Sequence, residues 1–230
     1  LFKTMITTTT LSLATLGVGV STEVEAQPFI GRQHIELKSD LMTPEALWAM
    51  GRIGSVSVNR AGTKAVYSVS YYSVKENKSH SVLYVLDLKT KQSQQLTTSV
   101  KSENGPVWIQ DRQGVERIAF LTSESGSSQL WTMATDGTDR RQVSFEQDDV
   151  VDFLFSPNSC RVILVKEVAQ HTSIQKNDAD LPKATGMVIN DLMYKHWDQY
   201  VTTAPHPFVA DFDGQRVSHT KDILEGEPFE

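Results

Sequence analysis

Cysteine is nearly missing: Cys160 is alone among 230 residues, so no disulfide can form within the chain. Its place predicts a small residue entering a strand rather than a reactive thiol. Charge of one sign is also scarce. Lys and Arg number 22 against 28 Asp and Glu, a net charge of -6 with no long run of either sign. That balance lacks the basic stripe of a nucleic-acid surface and suits an acidic, well-solvated protein. The six histidines show no paired metal-ligand spacing. Asp178, Asp180, Asp211 and Asp213 do not complete a calcium loop ending in Glu and read as turn carboxylates. There is no glycine-rich phosphate cradle. No cofactor and no metal is expected. Long apolar runs are absent after Ala26. Before it, Met5 to Val20 is uncharged and Thr-rich, but short of the ~20 strongly apolar residues of a membrane span. With Lys3 in front and Val24-Glu25-Ala26 behind, residues 1–26 read as a secretory signal cut before Gln27. The protein is therefore expected to be exported, to a periplasm or the medium. The chain begins with Leu, which predicts a piece of a longer sequence.

What is present is a folded composition, 39% apolar and 22% charged. Residues 27–52 form a lead-in with one short helix. Thr43 is its cap, Pro44 its first residue, Glu45 faces its positive end and Gly51 stops it. Leu47, Trp48 and Met50 are expected to pack on the strands C-terminal to the helix. From residue 53 the apolar period becomes two, and strands are expected over 53–58, 65–71, 82–88 and 94–97. The cycle repeats over 106–109, 117–122, 129–134 and 141–145, and restarts at 150–155 and 161–165. Val66, Ile118 and Val162 are taken as equivalent, at spacings of 52 and 44, and Leu83 and Leu130 at 47. Four strands recurring near every ~45 residues mark propeller blades. An immunoglobulin-like sandwich would not repeat the same turn in each unit. The expected blades are about 53–98, 104–145 and 150–214 of an all-β, incomplete propeller over 53–230, with the start of a fourth. The third is enlarged by a polar stretch, 168–186, and an apolar aromatic one, 187–200. A propeller closes with about 4 to 8 blades, so the chain is expected to continue beyond Glu230.

Ser156-Pro157-Asn158-Ser159 before Arg161-Val162-Ile163-Leu164 resembles the turn and strand of TolB-like propeller repeats. Leu130-Trp131-Thr132-Met133 with Asp136-Gly137-Thr138 resembles the second half of that repeat. Leu41 to Trp48, and Leu192 to Asp198 followed by His206 to Asp211, resemble the dipeptidyl-peptidase and acylaminoacyl-peptidase branch of the prolyl oligopeptidase family. The resemblance implies a propeller capping an α/β-hydrolase domain with a Ser, Asp and His triad, acting on short peptides. The Gly-x-Ser-x-Gly elbow that such a nucleophile needs is absent; Ser123-Glu124-Ser125-Gly126-Ser127 lacks the first Gly. No catalytic residue is therefore assigned. A TolB-like scaffold that binds envelope partners without catalysis is the alternative.

His196-Trp197-Asp198 is the most pointed cluster. In one reading it reaches toward the peptide cleft, where Asp198 pairs with the substrate's free amine. In the other it is a strand that packs Trp197 and satisfies its neighbours locally. Trp48, Trp108, Trp131 and Trp197 all lie in helix or strand patterns and are expected to pack in the core.

Overall fold

The computed structural model describes residues 30–36, 39–169, 172, 173, 180, 183, 187, 188 and 203–227. The expected signal segment lies outside them. The lead-in carries α1 (Pro44–Ala49), capped by Thr43, whose Oγ1 accepts from Ala46 N at 3.2 Å. Gly51 ends the helix differently from the expectation, since the chain leaves through an extended Met50. Glycine is needed at 51 because a Cβ there would lie 2.7 Å from the Tyr71 ring and 2.8 Å from Val69. Ala46 is the buried helix residue, whereas Leu47, Trp48 and Met50 remain well exposed. Thr43→Ala removes the cap and should cost the helix about 1 kcal/mol. Faster amide exchange at Ala46 and Leu47, with the blades unaffected, would show it.

Three four-stranded antiparallel sheets follow. The first is β1 (Arg52–Val58), β2 (Lys64–Ser73), β3 (Lys78–Asp87) and β4 (Ser93–Gln95). The second is β5 (Glu103–Gln110), β6 (Glu116–Thr122), β7 (Gln129–Ala134) and β8 (Arg141–Gln142). The third is β9 (Val150–Phe155), β10 (Arg161–Ala169), β13 (Thr203–Phe212) and β14 (Val217–Asp222). Between β10 and β13, β11 (Thr172–Ser173) pairs with β12 (Met187–Val188) as a separate ribbon. The stretch after 217 reads as polar in the sequence, yet it supplies the outer strand of the third sheet. An outer strand meets water along most of its length, so few of its residues need be apolar.

The sheets stack face to face in chain order. Val66 and Leu83 of the first pack on Ile118, Phe120 and Met133 of the second. Ala119, Leu121 and Leu130 of the second pack on Val162, Leu164 and Phe212 of the third. Strand β6 therefore buries Ile118, Phe120 and Ala119 on alternate faces, each fully. A strand covered on both sides has no polar face, which is why its run is continuously apolar. Burying Ile118 or Phe120 stabilises by about 1.5–3 kcal/mol.

The first strands of the sheets converge. Val58, Trp108 and Phe153, one from each, line a single cavity of about 500 Å³. Each first strand also carries an extra residue, at heights within one residue pair of each other: between Ile53 and Val56, between Asn104 and Val107, and between Val150 and Asp152. Such bulges sharpen local twist. The turns after them are one device repeated. Gly62, Gly114 and Ser159 donate to the carbonyls of Asn59, Asp111 and Ser156 at 2.9, 2.9 and 2.8 Å. All three sit at positive φ, and in the third turn Ser159 occupies the slot that glycine fills elsewhere.

The repeat is real, but the sequence alignment slips: relative to Val162, Val66 is one residue and Ile118 two residues out of step. Val58 pairs with Ala65, Gln110 with Glu116 and Phe155 with Val162. Ala65, Glu116 and Val162 are thus equivalent, and Val66 and Ile118 face opposite ways. Leu83 and Leu130 are equivalent as expected: their amides donate to Thr97 Oγ1 and Ser144 Oγ at 3.0 and 2.8 Å.

Candidate functional site

The first-strand turns share one end of the stack with the cavity. The hairpin loops 74–77 and 123–128 and the long insert 170–202 leave from the other. The insert emerges from a regular base. Strands β10 and β13 pair without interruption from Arg161↔Asp211 to Ala169↔Thr203. His196, Trp197 and Asp198 belong to the insert and lie outside the described residues, as does Asp178.

Beneath the insert lies a charged network. Lys166 and His206 face each other across β10 and β13, three pairs below the exit at Ala169. Lys166 Nζ donates to Glu146 Oε2 at 2.7 Å and stands 3.9 Å above the centre of the Phe208 ring. The other Glu146 oxygen accepts from Thr220 Oγ1 at 2.9 Å. His206 Nδ1 donates to Asp222 Oδ2 at 2.8 Å, and Asp222 also accepts from Leu224 N. Burial alone would push the Asp222 carboxyl up. The His206 hydrogen bond, the Leu224 amide and the charges of His206 and Lys166 outweigh it, and the carboxyl sits below the usual range. The network ties the segment after β8 to three strands of the third sheet. Its charges are paired with one another, so it holds the base of the insert rather than offering a reactive group.

Ser218, His219 and Asp211 superficially resemble a catalytic triad. Both contacts fall on the same ring nitrogen, Nδ1, at 3.5 Å to Ser218 and 3.2 Å to Asp211. A triad needs the serine on one nitrogen and the carboxylate on the other, and the His219 side chain is 82% exposed. Ser123 to Ser127 form the loop between β6 and β7, with no strand-to-helix elbow. Among the described residues no group of three His, Cys, Asp or Glu side chains could hold a metal ion. Asp213 accepts from Gln215 N and Arg216 N within its own turn. No helix among the described residues is long and apolar enough to cross a membrane.

Two tryptophans behave as expected: Trp108 and Trp131 pack against the buried cluster between the first and second sheets. Trp48 does not. It stands at the insert-bearing rim, 40% exposed, against Arg52 and Tyr72. Sequence reasoning missed Arg52 altogether, because a charged residue opening a strand carries no pattern of its own. Cys160 stands exposed in the turn before β10.

No protein-family model matches the chain. Among curated proteins it is 39% identical to dipeptidyl-peptidase 5 of Porphyromonas endodontalis over 193 residues, 84% of this chain and 28% of that protein. It is 41% identical to dipeptidyl-peptidase 5 of Porphyromonas gingivalis over 189 residues, 82% of this chain and 27% of that protein. The chain thus spans little more than a quarter of the curated relatives it matches. Among solved structures, the acylaminoacyl peptidase of Pyrococcus horikoshii superposes with a TM-score of 0.55 at 12% identity, over 76% of this chain and 26% of that one. That likeness concerns the fold. Stacked four-stranded sheets and the dipeptidyl-peptidase 5 matches agree, and the chain is an N-terminal β-propeller portion of the prolyl oligopeptidase family, from the branch of the dipeptidyl- and acylaminoacyl-peptidases.

Proposed function

We propose that the chain is the propeller portion of an exported serine-type dipeptidyl peptidase. It shapes and narrows the approach to a peptide cleft in an α/β-hydrolase domain encoded beyond Glu230. The observation that carries this reading is the 39–41% identity to two dipeptidyl-peptidase 5 sequences across more than four fifths of the chain. The enlarged third sheet supports it. A long insert rooted on a regular strand pair, at the rim shared by the other hairpin loops, is well placed to reach a neighbouring domain. In this reading Asp198 receives the free amine of the peptide, with His196 and Trp197 beside it. The hydrolase domain supplies the nucleophile, and the propeller contributes size selection and one wall of the cleft.

Extending the coding sequence past Glu230 tests the reading directly. Several hundred further residues with a Gly-x-Ser-x-Gly elbow are expected. The longer product should release dipeptides from reporter substrates, while residues 27–230 alone should release none. A coding sequence that ends with the ring, or turnover by residues 27–230 that a serine-directed inhibitor abolishes, would refute it.

A further inference from the structure

Arg52 opens β1 at the insert-bearing rim. Its guanidinium carbon lies 4.9 Å from the centre of the Trp48 ring and 4.4 Å from that of Tyr72. The two rings meet edge to face at 5.4 Å. Among the described residues its guanidinium has no hydrogen-bond acceptor and no carboxylate partner; the two rings are its contacts. Contact with the two rings restrains the guanidinium without using any of its five N–H donors. Those donors border a cavity of about 350 Å³ walled by Trp48, Tyr72, Val74, Asn77 and Lys78.

The placement is built from several sides. Gly51 lets the backbone lie against Tyr71 and Val69, where any side chain would collide, and so sets where Arg52 emerges. The Thr43 cap holds the helix that presents Trp48. Gln33 Nε2 donates to the Tyr72 carbonyl at 2.9 Å and pins the lead-in to the same strand. An ordinary surface arginine samples many rotamers and must be ordered when it binds. This one is ordered beforehand, which lowers the entropy lost on binding. A second cation, Lys78, borders the same cavity, in a chain whose net charge is -6.

We propose that Arg52, held against Trp48 and Tyr72, is a binding site for the C-terminal carboxylate of a short peptide. A planar fork matches a carboxylate in bidentate fashion. The apolar wall of Trp48 and Val74 receives the side chain of the last residue, and the cavity volume admits one or two residues. The choice of a peptide rests on the peptidase reading above. Carboxylate recognition itself rests on the geometry alone.

The experiment uses the chain by itself and needs no catalysis, so its failure is separate from that of the peptidase reading. The tryptophan fluorescence of the purified protein is titrated with N-acetyl-dialanine, its C-terminal amide, an amidated aspartyl peptide and inorganic phosphate. The free acid should bind saturably. Its amide should bind at least tenfold more weakly, as should the aspartyl amide and phosphate. Arg52→Gln should reduce free-acid binding to the level of the amide with the melting temperature unchanged, and Arg52→Lys should restore part of it. Added salt should weaken the free acid and leave its neutral amide unchanged. No saturable binding of the free acid, equal binding of the amide, or undiminished binding by Arg52→Gln would overturn the site. Phosphate or the aspartyl amide binding as tightly as the free acid would overturn its assignment to a peptide terminus.

Discussion

Arg140→Ala is expected to lower the unfolding free energy by about 3–5 kcal/mol, the cost of stranding a buried charge. Glu103 is wholly buried at the seam between the first and second sheets. Arg140 meets it at 2.6 Å and, through its other terminal nitrogen, meets Glu124 at 2.6 Å near the surface. Thr97, just beyond the last strand of the first sheet, donates its hydroxyl to the same carboxylate. The guanidinium also lies 5.0 Å over the ring of the fully buried Phe120. Its side chain is 24% exposed, so water relaxes part of the loss and the lower end of the range is expected. Burial already pushes the Glu103 carboxyl above its ordinary value, with Thr97 and Arg140 opposing that rise. Without Arg140 the rise is larger. A carboxyl whose folded value exceeds its unfolded value holds more protons when folded, so stability falls as pH climbs between the two. The deficit of Arg140→Ala should therefore shrink as pH drops toward the unfolded carboxyl value. Glu103→Gln in the same chain should recover most of it at neutral pH. Urea midpoints across pH for the three variants give the answer, and a pH-independent deficit would contradict the account.

Gly137→Ala should be nearly as costly, about 2–4 kcal/mol, although it adds one methyl group in a turn. Gly137 sits at φ +87° between β7 and β8. A Cβ there would come within 2.5 Å of the Leu96 carbonyl oxygen. That oxygen belongs to the backbone of the preceding sheet and cannot swing aside as a side chain could. The methyl must either distort the turn or push two sheets apart along the seam that holds Phe120 and Leu83. Gly62→Ala is the internal comparison. Gly62 has φ +67° with open space around it, so it carries the conformational penalty alone, about 1 kcal/mol. Equal losses for the two variants would show that the close approach to Leu96 contributes nothing.

Much of the architecture was legible because its causes are local. Alternation marks a strand, and Asn59, Asp111 and Ser156 open the same turn three times. Thr43 capped the helix as its chemistry requires. Three features were harder to read, each for a physical reason. The alignment of Val66 with Ile118 slipped by one because the strands of a stacked sheet are apolar on both faces, so a one-residue shift changes no hydrophobic pattern. The outer strand Val217–Asp222 hid in polar sequence because it has water along one side. Gly51 read as a helix stop, while its actual need is the close approach of Tyr71 and Val69. At the rim, the sequence pointed to the insert and passed over Arg52. Its partners, Trp48 and Tyr72, are 24 residues apart, and only folding brings both rings to one guanidinium.

Cys160, solitary among these 230 residues and open to solvent beside the Ser159 turn, gives this chain a single natural attachment point. A maleimide dye or nitroxide placed there would sit at the end opposite the insert, next to Ser159 on the wall of the cavity shared by the three first strands. Paired with a second label on the 123–128 loop, it would measure the distance between the two ends of the strands as a ruler does, and report whether that distance changes when peptide is present.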